Sequence, residues 1–343
     1  MSGPLPSLTF VVIVHNGSGM IRPAVASVCT AIERAQWSGA SVLVVDDGST
    51  DDTVVEVEAL ASETPVGIRV VSQANAGRLA ASRAGVEQAE SELVSFIGVR
   101  MRMHPDALVN LAAELTQHPE RRVWNCHIEV PRERNPQAQF WHVMTFIGWR
   151  RYLREPRLVS FGLDDFDYYP KGTGGFVCPR DLLLEGYEAL TSLYDDPRYA
   201  SDDTALIRYI AGRERIWMTP RYAADYLARA DMVGFVRHTF DRGTLFLDSY
   251  LHPGTRLFWP LVAFFVACPL ALLLVLRKPR TLLAIPAVSV GAAGGLAALG
   301  VKPRDIRGFS ALAPAFGVLF GAGLWRGLFL SARSTLRRRA GKP

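Results

Sequence analysis

Apolar and polar positions follow one another in a regular order through the first hundred residues. Leu8–Val14 is a compact run of apolar residues, mostly β-branched, that ends on the turn signal His15-Asn16-Gly17. Ser41–Val45 repeats the pattern and ends on Asp46-Asp47-Gly48, and Ile68–Val71 and Leu93–Ile97 follow. Between these runs Ile21–Arg34, Thr53–Ser62 and Leu79–Glu90 carry apolar residues at helical spacing. Strands that are apolar throughout, separated by helices, predict a parallel sheet buried on both faces. Such sheets take ligands at the carboxyl ends of their strands, which points to the turns just named.

The middle of the chain is less regular. Leu206–Ile210 and Tyr222–Leu227 read as helical. Phe140–Leu153 sets Phe140, Trp141, Met144, Phe146, Ile147 and Trp149 beside Arg150, Arg151 and Arg154. That mixture suits either a helix in a membrane interface or a core helix with a basic end. Three apolar segments lie beyond Arg256. Leu257–Leu276 is uninterrupted and has the ~20 residues that a bilayer span needs. Thr281–Val301 is also long enough, though rich in Gly and Ala, while Phe309–Trp325 reaches Leu330 only by including Arg326. Basic residues mark both connections and the tail, so the positive-inside rule does not fix the topology.

Charge and cysteine usage narrow the partners. Much of the net charge of +5 sits at Arg277, Lys278, Arg280, Lys302, Arg304, Arg307 and Arg337-Arg338-Arg339, beside apolar segments. Anionic lipid headgroups are the expected partners of such residues, and nucleic acid is not. Cys29, Cys126, Cys178 and Cys268 are scattered without C-x-x-C spacing, which excludes a cysteine zinc site or a disulfide framework and fits a reduced, cytoplasmic main domain. The run Phe10–Val14 is short and no basic residue precedes it, so no secretory signal is expected.

The densest candidate chemistry is Asp46-Asp47-Gly48-Ser49-Thr50-Asp51-Asp52-Thr53. Gly48 permits a tight turn after the strand, and Ser49 or Thr50 can cap the next helix. Asp51 and Asp52 would then fall in that helix's first turn, where the macrodipole accounts for them. Asp46 and Asp47 repel one another at the strand end unless something is bound, and a nucleobase or ribose would meet that need.

Val44–Thr53 resembles the nucleotide-binding signature of family 2 glycosyltransferases, which have the GT-A fold. Three more stretches follow that family's order: Val12-Ile13-Val14-His15-Asn16, Asn75-Ala76-Gly77-Arg78 continuing to Arg83-Ala84-Gly85, and Phe96-Ile97 continuing to His104-Pro105-Asp106-Ala107-Leu108. The likeness covers about residues 8–245. It implies an α/β, GT-A type domain over residues 1–250 with a mainly parallel central sheet. A membrane domain of two or three apolar helices over 257–330 and a basic tail over 331–343 are expected to follow.

The resemblance also assigns site residues. His15, Asn16, Asp46, Asp47 and Arg78 would contact the donor nucleotide. Ala200-Ser201-Asp202-Asp203-Thr204 resembles the family's acidic pair at a helix start, with Asp202 in the place usually held by Glu. Asp203 would be the general base and Asp202 its catalytic neighbour, in a reaction that inverts the anomeric centre. Helix capping by Ser201 and Asp202 is the plainer account of that stretch. Gly174 and Gly175, within Gly172–Arg180, would line the acceptor pocket. His238 and Arg242 would reach the donor diphosphate, unless they simply face solvent on a basic helix.

The chain departs from the family at Gly98-Val99-Arg100, where Asp-x-Asp normally holds a divalent cation. Gly98 has no ligating side chain and Arg100 brings positive charge, which disfavours Mn²⁺ or Mg²⁺ there. No metal or other cofactor is therefore expected, and Arg100 with Arg102 would pair with the phosphates in the cation's stead. The expected activity is transfer of a sugar, from a UDP-sugar by preference, to a lipid-linked or envelope glycan acceptor. It would take place at the cytoplasmic face of the cell membrane, on a multi-pass protein. A catalytically inactive sugar-nucleotide or glycan-binding protein is the alternative that Gly98 and Arg100 support. A dinucleotide oxidoreductase is excluded, because Gly17-Ser18-Gly19 lacks the third glycine of the phosphate-binding fingerprint.

Overall fold

The computed structural model describes residues 5–201 and 203–339. The chain divides into two units, one of Met1–Pro131, Trp149–Thr191 and Asp202–Leu227, the other of Arg132–Gly148, Ser192–Ser201 and Ala228–Pro343. The first unit opens with β1 (Leu8–Val14), α1 (Ile21–Ala35), β2 (Ala40–Asp46), α2 (Thr53–Ala61), β3 (Ile68–Ser72), α3 (Arg78–Gln88) and β4 (Leu93–Gly98). β5 (Met101–Met103), α4 (Ala107–Gln117) and β6 (Trp124–Glu129) continue it. α5 (Pro136–Leu153) then runs from the second unit into the first, and its one non-helical residue, Trp149, is where the first unit resumes. β7 (Val159–Phe161), β8 (Val177–Pro179), α6 (Arg180–Ala189), α7 (Thr204–Ala211) and β9 (Ile216–Tyr226) complete the first unit's elements.

The first unit is α/β with a mainly parallel central sheet. Among the described residues the strand order is β3-β2-β1-β4-β8-β6-β9-β5, with β7 on β9. β1, β2, β3 and β4 are parallel; β1, β2 and β4 are buried on both faces, as position between two helical layers requires, while β3 at the sheet edge exposes Arg69 and Ser72. Phe10, Val12, Val42 and Val44 pack with α1 and α4 on one side. Val11, Leu43, Val45 and Phe96 pack with residues of α3, α6 and α7 on the other. The chain runs outward from β1 through β2 to β3 and returns to the opposite side of β1 at β4. That reversal opens a crevice at the carboxyl ends of β1 and β4.

The structure corrects one element. Tyr222–Leu227, read above as helical, belongs for the most part to β9. Tyr222, Ala223 and Ala224 are all buried although successive side chains point to opposite faces, so this part of β9 is covered on both of them. A strand covered on both faces loses the alternation that marks a half-buried one.

The second unit contains α8 (Met232–Tyr250), α9 (Phe258–Arg277), α10 (Ile285–Ala298) and α11 (Pro303–Arg339). Among the described residues three helices are long and apolar enough to cross a membrane: Phe258–Arg277, Pro279–Ala298 and Pro303–Arg339, with mean hydropathies of 2.5, 1.7 and 1.5. The second begins as a 3₁₀ turn over Pro279–Ala284. The third absorbs Arg326 into one continuous 37-residue helix rather than ending near Trp325. α8 and α11 touch backbone to backbone: a Cβ on Gly323 would stand 2.1 Å from the Phe240 carbonyl oxygen and 3.0 Å from the Gly243 Cα.

Candidate active site

Sheet register sets the rim of the crevice. Val14 pairs with Asp46 across β1 and β2, and Ile13 pairs with Gly98 across β1 and β4. The turns that follow, His15-Asn16, Asp47-Gly48 and Val99-Arg100, therefore emerge side by side. Three of the four sequence motifs meet here for the elementary reason that their strands are neighbours.

The first two turns are bonded together. Asn16, at φ 51°, donates its N–H to Ser49 Oγ at 2.8 Å and accepts the Thr50 N–H on Oδ1 at 2.8 Å. The Gly17 N–H donates to Thr53 Oγ1 at 2.8 Å. Ser49 and Thr50 thus bind the β1 turn and do not cap α2. Asp51 and Asp52 precede α2 and are not in its first turn; the N-cap residue Asp52 makes no side-chain cap bond, while Asp51 accepts from the N–H and hydroxyl of Thr53 and from the Ser18 N–H. Those bonds, the Thr53 hydroxyl foremost, hold its carboxyl below the usual range.

Asp46 and Asp47 are 4% and 3% exposed, and each carboxylate has partners within the protein. Asp46 accepts the Ser49 N–H at 2.9 Å. Asp47 accepts from Gln73 Nε2 at 2.8 Å and from the N–H groups of Ala76 and Gly77, both at 2.9 Å. Their adjacency therefore does not by itself require a ligand, which corrects the repulsion argument. Asp47 instead ties the loop before α3 to the rim, and this sets Arg78, the first residue of α3, beside the same turn. His15 Nδ1 lies 3.0 Å from the Asp47 carbonyl and 3.2 Å from Asn75 Nδ2. Asn75 opens the third sequence motif, whereas Gln73 carries no motif of its own and was hinted at only by its place in the loop before Arg78.

The β4–β5 turn carries Val99 and Arg100. Arg100 is paired at its backbone with Leu227, whose N–H donates to the Arg100 carbonyl at 2.8 Å, and its guanidinium lies 3.5 Å from the Leu227 carbonyl. Arg102 points back onto the turn, donating to the carbonyls of Met101 and Val99 at 2.7 and 2.9 Å. Partial burial lowers its pKa. A glycine and two guanidinium groups supply no anionic oxygen at the Asp-x-Asp position, so this donor set does not fit a cation.

Asp203 stands at the start of α7 and caps it, accepting from the Thr204 N–H and hydroxyl. The capping assigned above to Ser201 and Asp202 belongs to Asp203; Asp202 lies outside the described residues. Near it is a buried charge cluster that the sequence reading missed. Lys171 Nζ lies 3.6 Å from Asp167 Oδ1, and Arg208 Nη2 lies 3.8 Å from the same oxygen. Burial pushes the Lys171 ammonium down to about 8, against the pull of Asp167, with Asp203 acting in the same direction as Asp167. The signal available was Lys171 standing next to the glycine-rich loop.

That loop is shaped by steric need. Gly175 has φ 70°, and a Cβ there would stand 2.4 Å from the Cys126 Cβ; one on Gly174 would stand 2.5 Å from the Met101 sulfur. The Gly175 N–H donates to the Phe96 carbonyl and its own carbonyl accepts the Tyr222 hydroxyl at 2.8 Å. His238 and Arg242 lie on α8 in the second unit. Arg242 Nε donates to His238 Nε2 at 3.0 Å, and both pack on the Trp141 ring.

Residues 9–176 match the family model described as Glycosyl transferase family 2. The chain is 27% identical over 110 residues to "Uncharacterized glycosyltransferase YibD" of Escherichia coli, covering 31% of this chain and 30% of that protein. It is 29% identical over 111 residues to the dodecaprenyl-phosphate galacturonate synthase of Rhizobium johnstonii, covering 32% of each. The matches thus span about a third of the length of these curated relatives. The mannosyltransferase PcManGT from Pyrobaculum calidifontis, solved with GDP-Man and Mn²⁺, shares the fold at a TM-score of 0.58 and 16% identity, over 94% of this chain and 87% of that one. S. aureus TarS 1-349 with UDP-GlcNAc does so at 0.50 and 16%, over 98% and 92%.

Proposed function

Through residues 9–176 the chain belongs to glycosyl transferase family 2, and on that premise we propose that it is a membrane-anchored inverting glycosyltransferase using a nucleoside-diphosphate sugar. The observation that carries this reading is the shared rim. The register of β1, β2 and β4 sets His15, Asn16, Asp46, Asp47 and Arg100 around one crevice at the strand reversal. The nucleoside lies against the turns of β1 and β2. The diphosphate lies toward Arg100, whose guanidinium pairs with phosphate oxygens where relatives use a cation. Gly174 and Gly175 are candidates for the acceptor side.

In the reaction the acceptor hydroxyl oxygen attacks the anomeric carbon while Asp203 takes the hydroxyl proton. The bond from that carbon to the phosphate oxygen breaks, and the nucleoside diphosphate leaves with the electron pair. Attack from the face opposite the leaving group inverts the centre. The acceptor is a lipid-linked or envelope glycan. The apolar helices and the synthase relative, whose name specifies dodecaprenyl phosphate, both support a membrane-borne acceptor. A free phosphate acceptor is already ionised and needs no base, so a working Asp203 favours a hydroxyl.

Asp203→Asn tests the base and separates it from the cap. Asn is as good an N-cap as Asp, so the variant keeps the cap and loses only the charge that acts on Lys171 and on the acceptor proton. Turnover, measured with GDP-Man and UDP-GlcNAc among the donors, falls about 10²–10⁴-fold. Full activity in Asp203→Asn would remove Asp203 from the chemistry.

A further inference from the structure

We propose that His104, Glu129 and Asp225 form a binding site for a first-row divalent metal, outside the vacated Asp-x-Asp position. The three residues come from the end of β5, the end of β6 and β9, all within the first unit. One ligand atom from each lies within 4.8 Å of the others, with His104 Nε2 3.3 Å from Asp225 Oδ1.

The sheet itself builds this arrangement. Asp225 is the register partner of Arg102 on β5 and of Glu129 on β6, and the His104 N–H donates to the Ala223 carbonyl at 3.1 Å. Met101, Met103 and Ala224 turn into the apolar core. Strand alternation therefore turns Asp225 and His104 to the opposite face, with Glu129 alongside. The three side chains remain 35–54% exposed, so a metal held by them keeps positions open to water or a ligand oxygen.

Two carboxylates and one imidazole converge here, and no Lys or Arg ion pair to Glu129 or Asp225 is found among the described residues. Arg102, the one guanidinium the register brings opposite Asp225, is committed to the carbonyls of Val99 and Met101. His104 meets Asp225 through Nε2, which leaves Glu129 to solvent and to the His127 ring at 3.9 Å. At metal–ligand distances of about 2.1 Å the three donors would stand ~3–4 Å apart, a closure within reach of side-chain rotation. A mixed imidazole and carboxylate set favours Zn²⁺ over Mn²⁺ and binds Mg²⁺ poorly.

The inference rests on this geometry and not on the transferase reading, so its test contains no sugar nucleotide. The full chain in detergent micelles, stripped with EDTA and desalted, is titrated with Zn²⁺ and with Mn²⁺ by calorimetry. One equivalent should bind, and His104→Gln, Glu129→Gln and Asp225→Asn should each weaken it at least tenfold while leaving the melting temperature of the stripped protein unchanged. Glu129 is the most exposed of the three, so its variant tests the site even where Asp225→Asn disturbs β9. Pulsed EPR of the Mn²⁺ complex should show coupling to one imidazole nitrogen that disappears in His104→Gln. Absence of saturable binding, or wild-type affinity in the His104 and Glu129 variants, overturns the proposal.

Discussion

At the scale of single residues the rim is held by side chains whose work is internal. Asp47 accepts two backbone N–H groups and one amide from the loop before α3. Asp47→Ala leaves those donors buried and unpaired, and equilibrium denaturation should show a loss of roughly 2–4 kcal/mol. Lys171 gives a pH signature. Its amine is held at about 8 in the fold against an ordinary value of 10.5. Below pH 8 both folded and unfolded chains carry the proton, and the fold bears the full cost of the buried charge. Between the two values the folded chain has lost the proton and the unfolded chain keeps it, so stability climbs with pH. Wild type should therefore gain on Lys171→Met by on the order of 2–3 kcal/mol between pH 7.5 and 10.5, measured as paired melting curves. Motif residues such as Asp46, Asp47 and Gly48 were legible because they adjoin a strand end. Gln73, Lys171 and the trio His104, Glu129 and Asp225 were not, since their meeting depends on strand register between distant segments.

At the scale of elements, β1 to β4 and α1 to α3 fall within two residues of the sequence reading. Buried parallel strands are unbroken apolar runs, and their helices are long enough to show a period. β5, β7 and β8 have three residues each, too few for any period to show. β9 was misread because its Ala-rich half is covered on both faces. The crossing of α8 and α11 makes a sharper element-scale prediction. Gly323→Ala places a methyl against the Phe240 carbonyl and should cost about 1–3 kcal/mol of resistance to denaturant. Gly317→Ala on the same helix meets nothing within 4 Å and should be neutral or slightly stabilising. Equal losses in the two variants would contradict the close packing of these helices.

At the scale of the molecule, composition already separates a charged α/β portion from apolar helices flanked by Arg and Lys. Under the proposed function, anchoring by these helices would raise the effective concentration of a membrane-borne acceptor. The departure at Gly98-Val99-Arg100 was likewise legible, because a missing pair of ligands is visible wherever the surrounding motif is intact. The central claim of the proposed function is that arginine answers the diphosphate. The direct measurement is calorimetric titration of the full chain with UDP-GlcNAc and GDP-Man in EDTA, comparing wild type with Arg100→Ala. The account predicts saturable binding of a donor by wild type despite the chelator, weakened about tenfold or more by Arg100→Ala, a change of at least ~1.4 kcal/mol. Binding that vanishes in EDTA, or that Arg100→Ala leaves unchanged, would contradict it.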